Sequence, residues 1–587
     1  MTEEISLKTK ILMILSVCIS LLVLLTSSDT FSHGVVFVLL GILSIIVALL
    51  GIFAAIMILL RKRNIGTFLL KIFSITGMLY SLMYMLIDVG TRGVFFGFFI
   101  IWLIIFILNK PTKNDQFEEM PKGKYLKLNW IVLVVLIIVV LTIVYIWVID
   151  WEGKAKIMSS PNGGGISVFR QEGVLTDITV ICDGAFVYDV SELKEDLLAE
   201  VTVKMIAPSA NISILSNTTG KILLRILNMQ ENAIKVNRNE KNIDKINYDD
   251  FWNSSDEQQL IEFPISGTFL LEEKGSKTML DVKANDETVI EIPAVESKDP
   301  LRIVVFSDTH SAQFIYMSVL AEFLDKKPNF VVWAGDITNN GYSIEFLIAS
   351  AIAESYPLQV FTTMGNHDIW NRGDKYYNVY FGPYYYSFEI KDTKIIILDT
   401  SKGLIGDSQF DWLYRELKDN TNNHTIIISH MPPIDTLSGN FDTSENLHPE
   451  MSNTIHIKSE SEYLIKLMNE FHVDAYIAGH THQQGAIKIN DTLIATSGAL
   501  GGTVLPGDNV GYIILDVDEE GVHLENIDVM SVEEVNSNKI QDNLHAARVF
   551  VLPVIINKSI RIASTILLFL ILSIVLYFLK DKLIYRK

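Results

Sequence analysis

Residues 301–310 read LRIVVFSDTH, 330–336 read FVVWAGD, 358–368 read LQVFTTMGNHD, 425–430 read TIIISH and 474–482 read DAYIAGHTH. Each stretch begins as a short, β-rich apolar run and ends abruptly in Asp, Asn or His. Runs of this kind, too short for helices and apolar throughout, are the pattern of strands buried on both faces. The runs 301–307, 330–334, 358–363, 394–398, 425–429 and 474–478 are therefore expected as strands. Amphipathic stretches at 313–326, 343–354, 408–418 and 460–471 are expected as helices between them. That alternation predicts an α/β domain. Ligand sites in such sheets lie beyond the carboxyl ends of the strands, so five separate segments should converge on one rim.

The side chains on that rim are Asp308, His310, Asp336, Asn366, His430, His480 and His482. A single ion cannot use seven such donors. Two first-row ions about 3.5–4 Å apart can, if one carboxylate bridges them. No thiolate takes part, which excludes a cysteine zinc site. Mixed oxygen and nitrogen donors suit Mn, Fe, Zn, Co or Ni and do not choose among them. Taken singly, Gly-Asp and Gly-Asn-His-Asp read as turns, Asp-x-His is a weak signal and His-x-His a stronger but not decisive one; five in this order, each after a strand, read as a metal centre. The remaining histidines, His33, His424, His448, His456, His472, His523 and His545, read as surface or packing residues, with His448 and His456 as candidates to touch substrate.

Of the 587 residues, 49% are hydrophobic, and the formal net charge is −20. So acidic a chain argues against a general nucleic-acid-binding surface. A phosphate-bearing substrate is still admissible, because bound cations dominate the local field. The two cysteines, Cys18 and Cys182, sit in unlike surroundings and predict no disulfide framework. Mean hydropathy is +0.31, and the excess lies in long apolar runs at 11–25, 34–60, 65–87, 94–108, 130–149 and 562–579. A bilayer core about 30 Å thick needs roughly 20 apolar helical residues, so these runs are expected as transmembrane helices, the first alternatively as a signal sequence. Lys8 and Lys10, then Arg61, Lys62 and Arg63, then Lys110, Lys113, Lys122, Lys124 and Lys127, and finally the tail from Lys580 to Lys587 assign one side as cytoplasmic. The expectation is a multi-pass protein of the cell membrane with both termini cytoplasmic and residues 150–548 extracytoplasmic. Within that part, residues 150–299 carry short runs such as 201–206, 221–227, 267–271 and 288–292 between Asn, Ser, Gly and Asp clusters, and read as a β-rich, sandwich-like accessory domain.

The order Asp308-x-His310, Gly335-Asp336, Gly365-Asn366-His367-Asp368, His430, Gly479-His480-x-His482 resembles the calcineurin-like metallophosphoesterase superfamily over about residues 301–528. The segment Ser408–Leu413 is similar to the helix these enzymes place between the third and fourth motifs. The resemblance implies an αββα sandwich with two divalent metal ions. Asp308, His310, Asp336 and His482 would hold one ion, and Asp336, Asn366, His430 and His480 the other, with Asp336 bridging. His367 matches the family's non-ligand histidine, which contacts the phosphoryl oxygen or protonates the leaving group. The stretch Gly335–Gly341 is similar to the second motif of the class III cyclic-nucleotide-phosphodiesterase branch. The chain departs from the Gly-Asp-x-x-Asp-Arg of protein Ser/Thr phosphatases and lacks the tyrosine that purple acid phosphatases carry three residues after the equivalent of Asp336.

The sequence thus predicts four parts: five transmembrane helices (1–149), the β-rich accessory domain (150–299), the metallophosphoesterase domain (300–548), and a C-terminal transmembrane helix with a basic tail (549–587). The expected activity is phosphoester hydrolysis, by preference of diesters, through metal-activated hydroxide. With the site expected outside the cytoplasm, cytoplasmic second messengers are poor candidates, and lipid head groups, cell-envelope phosphodiesters or nucleotides are the expected substrates. The rival reading is a non-catalytic membrane scaffold that keeps the fold for binding, but it predicts damaged ligands or a missing His367, and neither is found in the sequence.

Overall fold

A computed structural model describes residues 166–170, 177–191, 197–230, 233–242, 276–294, 300–441, 452–502 and 504–546, with isolated residues between 16 and 105. The chain divides into two compact units, Met1–Glu152 with Val551–Lys587, and Gly153–Phe550. In the first unit short helical pieces are described. Phe73 and Trp102 meet edge to face there, with ring centroids 4.4 Å apart, and both are buried.

Among the described residues no helix is long and apolar enough to cross a membrane. This corrects the expectation of an α-helical transmembrane region and a C-terminal transmembrane helix in the fold. Spanning takes roughly 20 apolar residues in one helix, whereas the longest described helix, Val532–Ala546, has 15 residues and opens on two glutamates. The runs 130–149 and 562–579 lie wholly, and the other four largely, outside the described residues.

Among its described residues the second unit begins with ten strands: β1 (Ile166–Arg170), β2 (Asp177–Asp183), β3 (Ala185–Ser191), β4 (Ala199–Met205), β5 (Ala210–Ser216), β6 (Gly220–Leu227), β7 (Ala233–Val236), β8 (Asn239–Asn242), β9 (Ser276–Val282) and β10 (Glu287–Ile292). They form a six-stranded sheet in the order β1-β2-β5-β10-β7-β8 and a four-stranded sheet in the order β3-β4-β6-β9. Burial alternates along β5 and β9, the two-residue period of a strand with one face in a core. Inward residues of both sheets, among them Val180, Ile212, Leu224 and Leu280, share one hydrophobic core. The run 267–271 lies outside the described residues.

From Leu301 the pattern changes to mixed sheets. The first joins β11 (Leu301–Phe306), β12 (Phe330–Ala334), β13 (Val360–Thr363), β20 (Gly511–Asp518) and β21 (Gly521–Asp528) in the order β13-β12-β11-β20-β21. The second joins β14 (Tyr386–Ile390), β15 (Thr393–Ile397), β16 (His424–Ile428), β17 (Ala475–Ala478), β18 (Gly485–Ile489) and β19 (Thr492–Thr496) in the order β14-β15-β16-β17-β19-β18. Within them β11, β12 and β13 run parallel, as do β15, β16, β17 and β19. Phe388 of the second sheet lies 4.7 Å from Phe361 and 5.7 Å from Phe330 of the first, ring to ring, so the sheets meet face to face. Strands with both faces covered need apolar residues throughout, and every residue of β12, β13, β15 and β17 is buried.

The expected helices appear as α1 (Gln313–Lys326), α2 (Ser343–Ser355), α4 (Asp407–Lys418) and α5 (Lys458–Glu470). Two more, α3 (Gly373–Phe381) and α6 (Val532–Ala546), have no counterpart in the sequence reading. In α4 the residues Phe410, Leu413 and Leu417 recur at helical spacing. They pack with Leu464, Leu467 and Met468 of α5 against Ile427 and Tyr476 of the second sheet.

Between the β-sandwich and the mixed sheets, β4 presents Lys204 and α2 presents Glu354. Their ion pair closes at 2.6 Å with both side chains buried, and Lys204 also donates to the Tyr380 carbonyl at 2.9 Å. Nearby, the Asn228 side chain bonds both Met205 O and Val360 O and accepts the Val360 N–H. Removing one partner of a buried pair strands the other, at a cost of about 3–5 kcal/mol. Lys204→Met should therefore lower stability to chemical denaturation by about that amount. The double change Lys204→Met with Glu354→Leu should recover much of it. Unchanged unfolding in Lys204→Met would show that the pair holds nothing.

Candidate metal centre

The carboxyl ends of β11, β12, β13, β16 and β17 lie together, and the loops that leave them are sewn to one another through their backbones. Asp308 N–H donates to Gly335 O at 3.1 Å, His310 N–H to Asp336 O at 3.0 Å, and Gly479 N–H to His430 O at 3.0 Å. Asp308, His310, Asp336, His480 and His482 all adopt positive φ, between 43° and 71°. This left-handed conformation costs an L-residue roughly 1–2 kcal/mol, so the fold spends stability to turn these side chains inward. Two glycines clear the space. At Gly335, with φ +85°, a Cβ would lie 2.5 Å from the His430 ring, and at Gly365 a Cβ would lie 2.2 Å from Asp336 N and Oδ1.

All eight candidates, Asp308, His310, Asp336, Asn366, His367, His430, His480 and His482, are brought into one cluster. Three groups within it offer donors within 4.8 Å of one another and can hold a metal ion: Asp308–His310–His482, His310–Asp336–His367 and Asp336–His430–His480. His367, expected as a non-ligand, thus stands close enough to belong to one of them.

The donors fit a cation closely. An ion bound at about 2.0–2.2 Å keeps its ligands about 3.0–3.5 Å from each other. His310 Nε2 faces His482 Nε2 at 3.2 Å, and Asp308 Oδ1 lies 3.4 Å from His482 Nε2. Asp336 Oδ2 lies 3.5 Å from His310 Nε2 and Asp336 Oδ1 3.4 Å from His430 Nε2. His430 Nε2 lies 3.0 Å from Asn366 Oδ1. Asp308 Oδ1 is buried with no hydrogen-bond partner, which is costly for a carboxylate oxygen unless a cation meets it.

Outer partners orient the rings, as second-layer hydrogen bonds do at metal sites. His430 Nδ1 donates to Ala334 O at 2.9 Å, His480 Nε2 to Ser452 O at 2.6 Å, and His367 Nδ1 to Asn339 O at 2.9 Å. His482 Nδ1 lies 3.5 Å from Asp508 Oδ2. Asp368 is a fully buried hub whose carboxylate accepts Ile337 N–H, Thr338 N–H, the Thr338 hydroxyl and Gly365 N–H at 2.8–3.1 Å. The sequence reading assigned none of these supports. Asp368 carries a signal, since it closes the Gly-Asn-His-Asp motif; Ser452 and Asp508 carry none. Among the other histidines, His424 pairs with Asp474 at 3.5 Å and His523 with Asp518 at 3.2 Å; His33 and His448 lie outside the described residues.

Charge is distributed unevenly. Burial opposes ionisation of Asp308 and Asp336, but the imidazolium groups of His482 and His430 outweigh it and hold both carboxyls well below the usual range. Burial likewise opposes charge on His482 and His430, yet Asp308 pushes His482 up to about 10 and Asp336 pushes His430 up to about 9. His480 is driven down to about 4 by burial and by the charge on His430.

Residues 301–484 match the family described as calcineurin-like phosphoesterase. All eight clustered side chains fall inside the stretch that matches this phosphoesterase family. Over 176 residues the chain is 23% identical to a protein of Fibrobacter succinogenes named as a probable cyclic nucleotide phosphodiesterase, covering 29% of this chain and 63% of that one. Over 171 residues it is 25% identical to a protein of Rhodococcus erythropolis with the same name, covering 27% of this chain and 52% of that one. The chain thus spans less than two thirds of the length of either relative. Among solved structures, a purple acid phosphatase from yellow lupin seeds overlaps 60% of this chain and 77% of its own, with 12% identity and a TM-score of 0.33.

Metal ligands must shed their protons. At pH 7 the ion-free site carries protons on His430 and His482. Loading it with Mn²⁺ or Zn²⁺ in weak buffer should therefore release protons, and affinity should fall as pH is lowered. The linkage has the opposite sign for the ion-free fold. Both pKa values lie above the ordinary 6.5, so their contribution is present below 6.5 and is lost as pH rises through about 9 to 10. Calorimetry in buffers of different ionisation heat measures the released protons; ion uptake without release would contradict this charge pattern.

Proposed function

We propose that residues 301–528 hydrolyse phosphodiesters at a centre of two divalent ions bridged by Asp336. The observation that carries this reading is the position of Asp336, whose two carboxylate oxygens face different ligand groups, Oδ2 toward His310 and Oδ1 toward His430. In this reading Asp308, His310, Asp336 and His482 hold one ion, and Asp336, Asn366, His430 and His480 the other. Ions held there would supply positive charge to the developing transition state and would lower the pKa of water toward neutrality. The chain's own residues do the rest. Asp336 lets two cations approach by placing negative charge between them. Ala334 O and Ser452 O fix which nitrogen of His430 and of His480 is turned inward. His367, tethered through Nδ1, keeps Nε2 for the phosphoryl oxygen or the leaving group. The names of the two bacterial relatives make a cyclic nucleotide the first diester to try.

Two variants separate binding from turnover. Asp336→Asn keeps the shape but removes the bridging charge, so it should lose at least one ion along with activity. His367→Gln should retain both ions and turn over about 10²–10⁴-fold more slowly, the range for a lost acid–base group. Elemental analysis beside turnover of bis-nitrophenyl phosphate measures both effects. Two ions and wild-type activity in Asp336→Asn would end the two-ion reading.

The bond preference has its own test. Hydrolysis of the nitrophenyl diester should be at least comparable to that of the nitrophenyl monoester. Strong monoesterase activity with no action on the diester or on 3′,5′-cyclic AMP would overturn the diesterase assignment.

A further inference from the structure

His367 is held on three sides, and one of them belongs to a residue that no metal-binding motif requires. Trp370 stacks on its imidazole with ring centroids 4.5 Å apart and planes 29° from parallel. His310 meets the same ring edge-on, at 4.5 Å and 89°. The Asn339 carbonyl accepts its Nδ1–H at 2.9 Å. A carbonyl can only accept, so Nδ1 carries the proton and Nε2 is left for chemistry.

Both jaws around His367 are themselves braced. On one side lies the loop 339–342. The buried carboxylate of Glu345 accepts the Ser311 hydroxyl at 3.0 Å, Asn340 N–H at 3.2 Å and Tyr342 N–H at 3.0 Å. Ser311 Oγ in turn accepts Asn339 N–H at 3.1 Å. On the other side lies the turn that carries Trp370. Asn371 and Arg372 follow it with left-handed φ of 49° and 67°, and Asn371 Nδ2 bonds Asn340 O at 2.8 Å. Gly341 closes the gap, since a Cβ there would stand 2.2 Å from Trp370 O. Two segments about thirty residues apart in sequence are thus locked together with His367 between them.

A tryptophan placed only to fill a core would be sunk in it. Trp370 is only partly buried, and its face stacks on an imidazole. We propose that Trp370 is a positioning residue: with the Asn339 carbonyl it clamps the His367 ring in the one orientation that presents Nε2 to the reacting phosphoryl group. The inference rests on the role given to His367 under Proposed function, and its test separates the two. Because Trp370 donates nothing to the metal groups, its loss should act through His367 alone.

The test is a double-mutant cycle on the full chain with both ions bound, read as kcat and KM on bis-nitrophenyl phosphate with ion content measured in parallel. Trp370→Ala should lower kcat by about 10- to 100-fold, the scale of a misplaced catalytic group, with ion content and KM little changed. Trp370→Phe, which keeps a stacking face, should restore most of the loss. In the His367→Gln background, Trp370→Ala should lower kcat no further, because coupled residues are not additive. If the two effects multiply while His367→Gln is itself slow, the clamp is refuted and the role of His367 stands. If His367→Gln is as fast as wild type, both fall. Loss of bound ions in Trp370→Phe as well as Trp370→Ala would make Trp370 a structural support of the metal centre and would also overturn the proposal.

Discussion

Everything at the candidate centre hangs on a backbone that is unfavourable by itself. Five of its donors sit at left-handed φ, where an ordinary side chain crowds its own carbonyl. Such conformations persist only where the surroundings over-determine them. The surroundings here are specific. Parallel strands deliver the loops side by side, the loops bond each other's backbones, and Asp368 gathers the amides of Ile337, Thr338 and Gly365 on one buried carboxylate. Asp368 need touch no ion to matter: without it, the turns bearing Asp336 and Asn366 lose their common anchor.

Electrostatics adds a second layer to the same constraint. Asp308 and Asp336 are fully buried anions, and isolated buried charge is expensive. The imidazoles around them answer that cost in two different ways. His430 and His482 can take up protons and serve as counter-charges, whereas burial keeps His310 and His480 neutral. Cations and protons therefore compete for the same two rings, while the neutral pair offers lone pairs that are already free.

How much of this could be read from the sequence follows from how local each signal is. Apolar runs ending in Asp or His gave away β11, β12, β16 and β17 together with the donors behind them, because strand, turn and ligand are neighbours in the chain. Helices α1, α2, α4 and α5 were legible for the same reason. The supports were not. Asp508 lies 26 positions from His482, and Ser452 meets His480 through a backbone carbonyl that any residue possesses. Hairpin strands such as β20 and β21 are paired by register, which composition does not encode. Hydropathy points the other way: the long apolar runs have the composition of spanning helices, yet among the described residues no helix has the length.

Helix α2 joins the two halves of the second unit in an unexpected way. One of its ends holds Glu345, which braces the loop beside His367, and the other holds Glu354, which is neutralised by Lys204 from the β-sandwich. Thirteen residues at 1.5 Å each make a strut about 20 Å long. The border near residue 300 is thus a seam in sequence composition without being a line along which the protein can be cut. A fragment starting there would inherit an anion with no cation and an edge at Val360 with its amide unmatched. The sandwich is thus the far abutment of the bridge on which the candidate centre stands.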